Sequence, residues 1–260
     1  MDVVIAIDIG NTNIMFGFFV DGELIDTLRI ATDSGRTSDE YRLMLLQFLD
    51  FENLSHEIED FTISSVVPSL TPVFRAVSKK LAGREPILVG ADLPIGITFA
   101  VDEPQHVGAD RICDIFQAHK LFPDENVVVV DFGTATTFSV ITKNGIFLGG
   151  PITIGILPAS TELFRRTAQL PRIELVKPKS AIGKNTVEEM QSGVIYGFGG
   201  LVDRLIEHIE EEIKEGVKVI GTGGISHLME GVSKRIEMFD KLLTIKGLFS
   251  IYEFVKGNTY

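Results

Sequence analysis

The sequence predicts an α/β protein made of two related halves that face each other across a cleft. Strand-like aliphatic runs alternate with amphipathic helical segments along the chain. At 260 residues the chain exceeds the size at which one domain is the default, and two halves of about 130 residues fit the usual range. The third observation is an internal repeat, in which Asp8-Ile9-Gly10 and Asp131-Phe132-Gly133 each lie between two strand-like runs.

Each copy of the repeat is a strand, an Asp-x-Gly turn, a second strand and a turn dipeptide. The dipeptides Asp21-Gly22 and Asn144-Gly145 are of the kind that closes two-residue hairpins. Each dipeptide begins 13 residues after the aspartate of its copy. Because a repeat should be explained before single motifs are, we interpret the two copies as one device used twice.

The chemistry of this device points to phosphate. Gly10 and Gly133 lack a Cβ and can adopt a positive φ, so a ligand could approach the backbone closely. Successive N–H groups in such a turn form an anion-binding concavity. An aspartate beside bound phosphates requires a cation, because like charges repel. Hydroxyl donors are supplied by Thr12, Thr134, Thr136 and Thr137. The alternative is that each Asp-x-Gly is only a tight turn.

Composition and charge exclude several classes of function. The net charge of −12 gives no electrostatic support for nucleic-acid binding. The single cysteine, Cys113, excludes an intrachain disulfide and suits a reducing cytosol, and its apolar helical surroundings predict a buried thiol. No apolar run approaches the roughly 20 residues that span a bilayer. We therefore expect a cytoplasmic protein with no membrane or nucleic-acid partner. Because the five histidines are scattered and none forms a zinc pair at i and i+4, we also expect no structural metal.

Strand and helix signals follow one another between the two copies of the repeat. Ser38 is the expected N-cap of the first helix. The predicted strands are 23–30, 61–67 and 87–89, and the predicted helices are 38–49, 70–81 and 112–122. After the second copy, we expect a helix at 158–168, a long helix at 187–213, a strand at 217–220 that leads into another helix, and an amphipathic helix at 243–255. Thr186 and Glu189 form the expected capping box of the long helix. Gly193 and Gly197 would leave one face of that helix thin enough for another backbone to approach.

Two further motifs have both a structural and a functional interpretation. Asp110 precedes a helix pattern, so it is either a cap or first-turn acid, or a carboxylate placed with Arg111 to accept a proton and hold an anion. The glycine cluster Gly221-Thr222-Gly223-Gly224 follows a strand. Its bare backbone could flank a base or ribose, or it could be an ordinary strand–helix turn.

These motifs, in this order, resemble those of the type III pantothenate kinase family. The resemblance also includes 182–187 and 190–193, and it covers residues 3 to about 255. It implies the actin-like, sugar-kinase-like fold, in which two ribonuclease-H-like domains hold the nucleotide between them, here at 1–120 and 121–260. It implies a homodimer that uses ATP to phosphorylate the primary hydroxyl of pantothenate to 4'-phosphopantothenate, the first step towards coenzyme A. The implied cofactors are Mg²⁺ and a monovalent cation, K⁺ or NH₄⁺.

The resemblance also implies roles for individual residues. Asp110 would be the general base, Asp8 would lie near magnesium, and Asp131 would bind the monovalent cation. ATP would be bound by Asp8, Ile9, Gly10, Asn11, Thr12, Asn13, Ile14, Met15, Thr134, Gly223 and Gly224. Pantothenate would be bound by Gly108, Ala109, Asp110, Arg111 and Thr186, with Val101 where the family usually has tyrosine.

The sequence departs from the family pattern at two places. Besides Val101, the segment Gly149-Gly-Pro-Ile-Thr-Ile-Gly155 has its proline moved, which could reshape that loop. Two alternatives therefore stay open. The chain could be a kinase of the same superfold that acts on another small polyol, or a non-catalytic regulator that retains the nucleotide site.

Overall fold

The computed structural model describes residues 2–54 and 57–257. Two compact units divide them: the first extends to Gln117 and resumes at Leu243, and the second is Ala118–Leu242. The elements in chain order are β1 (Asp2–Ile9), β2 (Asn13–Val20), β3 (Glu23–Ala31), α1 (Ser38–Phe51), β4 (Glu57–Ser65), α2 (Thr71–Leu81), β5 (Ile87–Leu88), β6 (Thr98–Phe99), α3 (Ala109–Leu121), β7 (Val127–Phe132), β8 (Ala135–Ile141), β9 (Ile146–Gly149), β10 (Ile152–Ile154), α4 (Ile156–Arg165), α5 (Thr186–Ile213), β11 (Lys218–Thr222), β12 (Met238–Phe239) and α6 (Leu243–Gly257).

The first unit contains a five-stranded sheet with the order β3-β2-β1-β4-β5. Strand β1 is antiparallel to β2 and parallel to β4. Asp21 and Gly22 both have positive φ, 50° and 86°, so the predicted two-residue hairpin is confirmed. The predicted cap of α1 is wrong by one residue. Thr37 is the N-cap and forms a capping box with Glu40, because its hydroxyl accepts from the Glu40 N–H.

The C-terminal helix α6 packs in the first unit, although the sequence expectation placed every residue after 120 in the second domain. The side chain of Ile245 lies against the backbone of Gly17 on β2. A Cβ at Gly17 would collide with that side chain. The ring of Phe249 stacks on Phe19 with centroids 4.1 Å apart. Apolar periodicity predicts that α6 has a buried face, but it does not identify the sheet that covers it.

The second unit repeats the topology of the first. Its strands lie in the order β9-β8-β7-β11-β12, and β10 also pairs with β8. Strand β7 is antiparallel to β8 and parallel to β11, as β1 is to β2 and β4. The second hairpin differs from the first. The Gly145 N–H donates to the Thr142 carbonyl, and Gly145 but not Asn144 has positive φ, so the turn is longer than two residues.

Three predictions for this unit need correction. The N-cap of α5 is Asn185, whose side chain accepts from the Glu188 N–H, and Thr186 is the first helical residue. The glycine cluster leads into a short 3-10 turn at Ser226–Met229 and not into an α-helix. Helix α4 begins two residues earlier than predicted and ends at Arg165.

Each unit has its own apolar core, and a further cluster packs around α6. Cys113 is fully buried and free, as predicted. Among the helices in the described part of the chain, we find none with both the length and the apolar character that a bilayer crossing requires.

Candidate active site

The Asp8 turn of the first unit is held by hydrogen bonds on both sides. Gly10 donates its N–H to the Asn13 carbonyl at 3.0 Å. Thr32, just after β3, donates its hydroxyl to the Gly10 carbonyl at 2.6 Å and its N–H to the Thr12 carbonyl at 3.0 Å. The side chains of Asn11 and Thr12 remain exposed. The turn is therefore fixed through its carbonyls while part of it stays open to solvent, which suits an anion-binding loop.

Of the two turn glycines, Gly10 allows a close backbone approach, and neither glycine adopts a left-handed conformation. Neither Gly10 nor Gly133 has positive φ, which corrects the conformational part of the expectation. A Cβ at Gly10 would lie 3.0 Å from the Asn13 carbonyl oxygen, and one at Gly133 would lie 3.4 Å from a carboxylate oxygen of Asp131. A side chain at position 10 would therefore crowd its own turn, whereas one at position 133 would make an ordinary contact with Asp131.

Asp110 is the second residue of α3 and is half-buried, so the structure supports the first-turn interpretation over the N-cap one. Its Oδ1 atom accepts from the Arg111 N–H at 2.8 Å. Burial raises the pKa of Asp110, while that hydrogen bond and the charge of Arg111 act in the opposite direction. A carboxylate whose pKa is raised by burial is a stronger base than an exposed one, which suits a proton acceptor.

Gly108 makes room for the Asp110 carboxylate. A Cβ at Gly108 would collide with Asp110 Oδ1. The same Cβ position lies 3.6 Å from a methyl group of Val66, whose N–H donates to the Ile9 carbonyl at 3.0 Å. Through Val66, the Gly108–Arg111 motif is therefore packed beside the end of β1 that carries Asp8.

Several charged side chains of the first unit lie near the N-terminal half of α3. Burial raises the pKa of the Cys113 thiol well above its usual value, and the negative charges of Asp8, Asp114 and Asp110 add to that effect. Asp8 and Asp110 are thus close enough to act on one thiol. The pKa of Arg111 is lowered by burial and raised by Asp110 and Asp114. The structure brings Asp8, Asp110 and Arg111 into one neighbourhood within the first unit.

In the second unit, the Asp131 turn meets the glycine cluster. Strands β7 and β11 pair Asp131 with Thr222, so the cluster follows directly beside the aspartate. Gly223 has a φ of 94°, and a Cβ there would collide with Asp131 Oδ1 and lie 2.7 Å from the Phe132 carbonyl oxygen. The structure therefore brings Asp131, Gly133 and Gly223 together.

Gly155 supports the same turn from the start of α4. A Cβ at Gly155 would lie 2.5 Å from the Thr134 carbonyl oxygen and 2.6 Å from that of Gly133. In the segment with the displaced proline, Gly149 and Gly150 have φ of 90° and 146°. The Pro151 carbonyl accepts from the Phe138 N–H at 2.8 Å. The segment 149–155 thus packs against the hairpin that carries Asp131, and its last residue, Gly155, contacts the turn of that hairpin.

Two expected substrate residues lie outside these clusters. Thr186 is exposed at the start of α5 and lines a groove of about 540 Å³ along α4 and α5. Val101 is half-buried in the segment that connects β6 to α3. Both remain expectations.

Sequence reasoning missed Thr32 and Ser64, and it named Thr222 only as a member of the glycine cluster and not as a neighbour of Asp131. Ser64 pairs with Asp8 across β1 and β4, and Thr222 pairs with Asp131 across β7 and β11. Both hydroxyl residues are buried. The pairing of Asn13 with Ala31 places Thr32 opposite the first turn, and strand register was the one signal that could have found it.

Two oxygen atoms of the second unit lie close to the bare backbone of Gly223. A carboxylate oxygen of Asp131 and the Phe132 carbonyl oxygen both lie too near Gly223 to leave room for a Cβ. Carboxylate and carbonyl oxygens are the ligands such cations prefer. Within residues 2–54 and 57–257, no group of three or more His, Cys, Asp or Glu side chains is arranged to hold a metal ion. A cation here would thus depend on one carboxylate and backbone oxygens.

Comparison with known proteins gives a consistent family. The family model described as type III pantothenate kinase matches residues 4–208. A relative from Finegoldia magna, named type III pantothenate kinase, is 45% identical over 261 residues, which is 99% of both chains.

Solved structures are similar at the level of the fold. A Baf family protein from Campylobacter jejuni has a TM-score of 0.60 at 22% identity and covers 98% of each chain. The ROK hexokinase from Thermus thermophilus has a TM-score of 0.53 at 11% identity, over 98% of this chain and 99% of its own. These likenesses place the chain in the two-domain, actin-like fold of sugar kinases, as the sequence predicted.

Proposed function

The chain belongs to the type III pantothenate kinase family, and from that premise we propose how its residues carry out the reaction. The enzyme transfers a phosphoryl group from ATP to the primary hydroxyl of pantothenate and yields 4'-phosphopantothenate, the first step of coenzyme A biosynthesis. The observation that carries the assignment to this chain is the 45% identity over 99% of its length.

Asp110 is the proposed general base. Its carboxylate takes the proton of the primary hydroxyl as that oxygen forms a bond to the γ-phosphorus, and the bond to the β-bridging oxygen breaks as ADP leaves. The raised pKa of Asp110 and the space that Gly108 leaves for its carboxylate support this role. Arg111, next in the chain, is the proposed partner of the pantothenate carboxylate, because a guanidinium binds a carboxylate through two parallel hydrogen bonds. Gly108, Ala109, Val101 and Thr186 complete the proposed substrate contacts.

The two repeated turns are the proposed phosphate loops. Residues 8–15 would bind ATP phosphates through the turn that Thr32 holds, and Thr134, Gly223 and Gly224 would bind ATP in the second unit. Two observations support these roles. In the first turn the Gly10 carbonyl is held by a hydrogen bond from Thr32, and in the second unit the backbone at Gly223 carries no side chain. Phosphoryl transfer depends mainly on positioning and charge stabilisation, which such rigid turns provide.

Asp8 and Asp131 are the proposed cation ligands, for Mg²⁺ and for K⁺ or NH₄⁺ respectively. These cations, when bound, supply positive charge that offsets the charge of the phosphate oxygens. The Asp131 carboxylate and the nearby Phe132 carbonyl, oxygen ligands of the kind that hard cations prefer, support the second assignment.

A homodimer that uses the groove between α4 and α5 is also proposed. The groove is lined mainly by apolar side chains and by Gly193 and Gly197, and nothing lies within 4 Å of where their Cβ atoms would be. Leu163, which also lines it, is 40% exposed. An apolar face with two bare backbone positions suits close packing against a second copy.

A cytoplasmic location is the accompanying proposal, in keeping with the free thiol of Cys113.

The test is ADP release with Mg²⁺ and K⁺ present, measured with pantothenate and with a panel of small polyols, and followed by mass analysis of the product. Pantothenate should be the preferred acceptor and should gain one phosphoryl group. Preference for another polyol would contradict the assigned substrate, and absence of turnover with every acceptor would favour a non-catalytic relative.

A further inference from the structure

We propose that Asp114 is a positioning residue that holds the Arg111 guanidinium for the acceptor carboxylate, and that Thr244 of α6 holds Asp114 in turn. This inference rests on the proposed function, in which Arg111 binds pantothenate. It adds two residues, one of them near the C-terminal end of the chain, to the determinants of acceptor binding.

Helix geometry places Asp114 beside Arg111. The two residues are three apart on α3, and Asp110 is four before Asp114. On a helix, residues with these separations are neighbours, with Cβ atoms about 5–6 Å apart. Arg111 therefore has a carboxylate next to it in sequence and a second carboxylate one turn further along the same helix.

Burial indicates that Asp114 needs charged or polar partners. Only 2% of it is exposed, and a buried carboxylate is costly unless it is paired and hydrogen-bonded. Thr244 donates its hydroxyl to Asp114 Oδ1 at 2.7 Å. Arg111 is half-buried, and the negative charge of Asp114 raises its pKa. The buried carboxylate and the half-buried guanidinium thus stabilise each other.

Two further contacts hold α6 against α3. Ser250 donates its hydroxyl to Gln117 Oε1 at 2.7 Å, and both residues are buried. The bare backbone of Gly247 lies against the backbone of Cys113, where a Cβ would collide. Because α6 is locked to α3, the Thr244 hydroxyl can hold Asp114 at a constant position. A guanidinium held from one side presents its remaining donors in a fixed plane, which suits bidentate recognition of a carboxylate.

The test compares two ligands that differ at one group. Dissociation constants are measured by calorimetry for pantothenate and for its neutral alcohol analogue, in which CH₂OH replaces the carboxylate, with a non-hydrolysable ATP analogue and Mg²⁺ present. Asp114→Asn should weaken pantothenate binding by roughly 10-fold, the size expected for a disturbed hydrogen bond to a charged group. Binding of the analogue should change by less than about 2-fold, because it lacks the group that Arg111 recognises.

Matched variants separate positioning from a structural role. Thr244→Val should act in the same direction as Asp114→Asn, and Thr244→Ser should restore binding. Ser250→Ala, which removes a hydrogen bond between the same helices that does not involve Asp114, should not discriminate between the two ligands. If Asp114→Asn does not fold, the Val and Ser variants of Thr244 carry the test, with thermal unfolding as the check on folding.

Equal losses for both ligands in Asp114→Asn and Thr244→Val would overturn the inference, as would tighter pantothenate binding. Arg111→Gln separates this failure from failure of the proposed function. If that variant weakens pantothenate selectively while the others do not, only the role of Asp114 and Thr244 is wrong. If it fails to discriminate, the role of Arg111 itself is wrong.

Discussion

Asp8 and Asp131 occupy the same position in their two units. Each is the second-to-last residue of the central strand of its sheet, and each pairs across a parallel ladder with a buried hydroxyl residue, Ser64 or Thr222. Each is followed by a turn whose glycine donates its N–H to a carbonyl two or three residues on. The repeat that is visible in the sequence is therefore a repeat of backbone geometry as well.

Gly108→Ala should impair turnover by displacing the Asp110 carboxylate, against which the new Cβ would collide. A displacement of this kind is expected to lower kcat by roughly 10- to 100-fold. Steady-state kinetics provide the measurement. Gly216→Ala is the control, because nothing lies within 4 Å of its Cβ position and its φ is not positive. Unchanged kcat in Gly108→Ala would show that Asp110 tolerates the added methyl group.

Asp110→Asn should be at least as stable as the wild type at neutral pH. Burial raises the pKa of Asp110 above its ordinary value of 3.8, so the charged form is disfavoured in the folded state. The stability that this group contributes is present below the unfolded-state pKa and is lost as the pH rises through the folded-state pKa. The difference in unfolding free energy between Asp110→Asn and the wild type should therefore shrink as the pH falls through the folded-state pKa towards the unfolded-state pKa. Urea unfolding at several pH values measures it, and a variant less stable at pH 7 would contradict the burial effect.

Asp131→Asn should remove the response to potassium. The proposed cation site has one carboxylate, and loss of its charge removes the strongest oxygen ligand of a hard cation. The ratio of activity in K⁺ to activity in Na⁺ should fall to near unity in the variant. Asp124→Asn, an exposed acid of the same unit, should keep the wild-type ratio. A retained potassium response in Asp131→Asn would place the cation elsewhere.

Gly193→Glu should weaken the proposed dimer. It would place an unpaired charge in the apolar groove of α4 and α5, and burial of such a charge should weaken association by roughly 100-fold or more. Sedimentation velocity over a concentration series measures the change. Gln47→Glu adds the same charge on the exposed side of α1 and should leave association unchanged. A dimer of wild-type affinity in Gly193→Glu would locate the interface on another surface.

Much of the fold could be predicted from local patterns. The aliphatic runs, the Asp-x-Gly turns and the dipeptide Asp21-Gly22 locate the strands and the first hairpin, because each signal lies within a few residues. Predictions of helix caps were wrong where neighbouring residues compete. Thr37 and Ser38 are both good caps, and so are Asn185 and Thr186. In each pair the first residue is the N-cap, and its side chain accepts from the N–H of the glutamate three residues on, Glu40 or Glu188.

The supports of the site could not be predicted, because they depend on contacts between distant segments. Gly155 and Gly223 meet the Asp131 turn from α4 and β11, and Thr32 reaches the Asp8 turn across β2 and β3. Sequence periodicity gives each element a buried face, but it does not give the partner of that face. The proposed reactive residues, Asp8, Asp110 and Asp131, could be selected from the sequence because each belongs to a short local motif.

The most direct test of the account is the rate of 4'-phosphopantothenate formation by Asp110→Asn, at saturating ATP and pantothenate with Mg²⁺ and K⁺ present. The amide keeps the size of the carboxyl group but cannot accept the proton of the attacking hydroxyl. We predict that product formation falls by at least about 100-fold, the usual contribution of a general base, while ATP binding and folding are retained. Turnover at the wild-type rate in the folded variant would contradict the central claim.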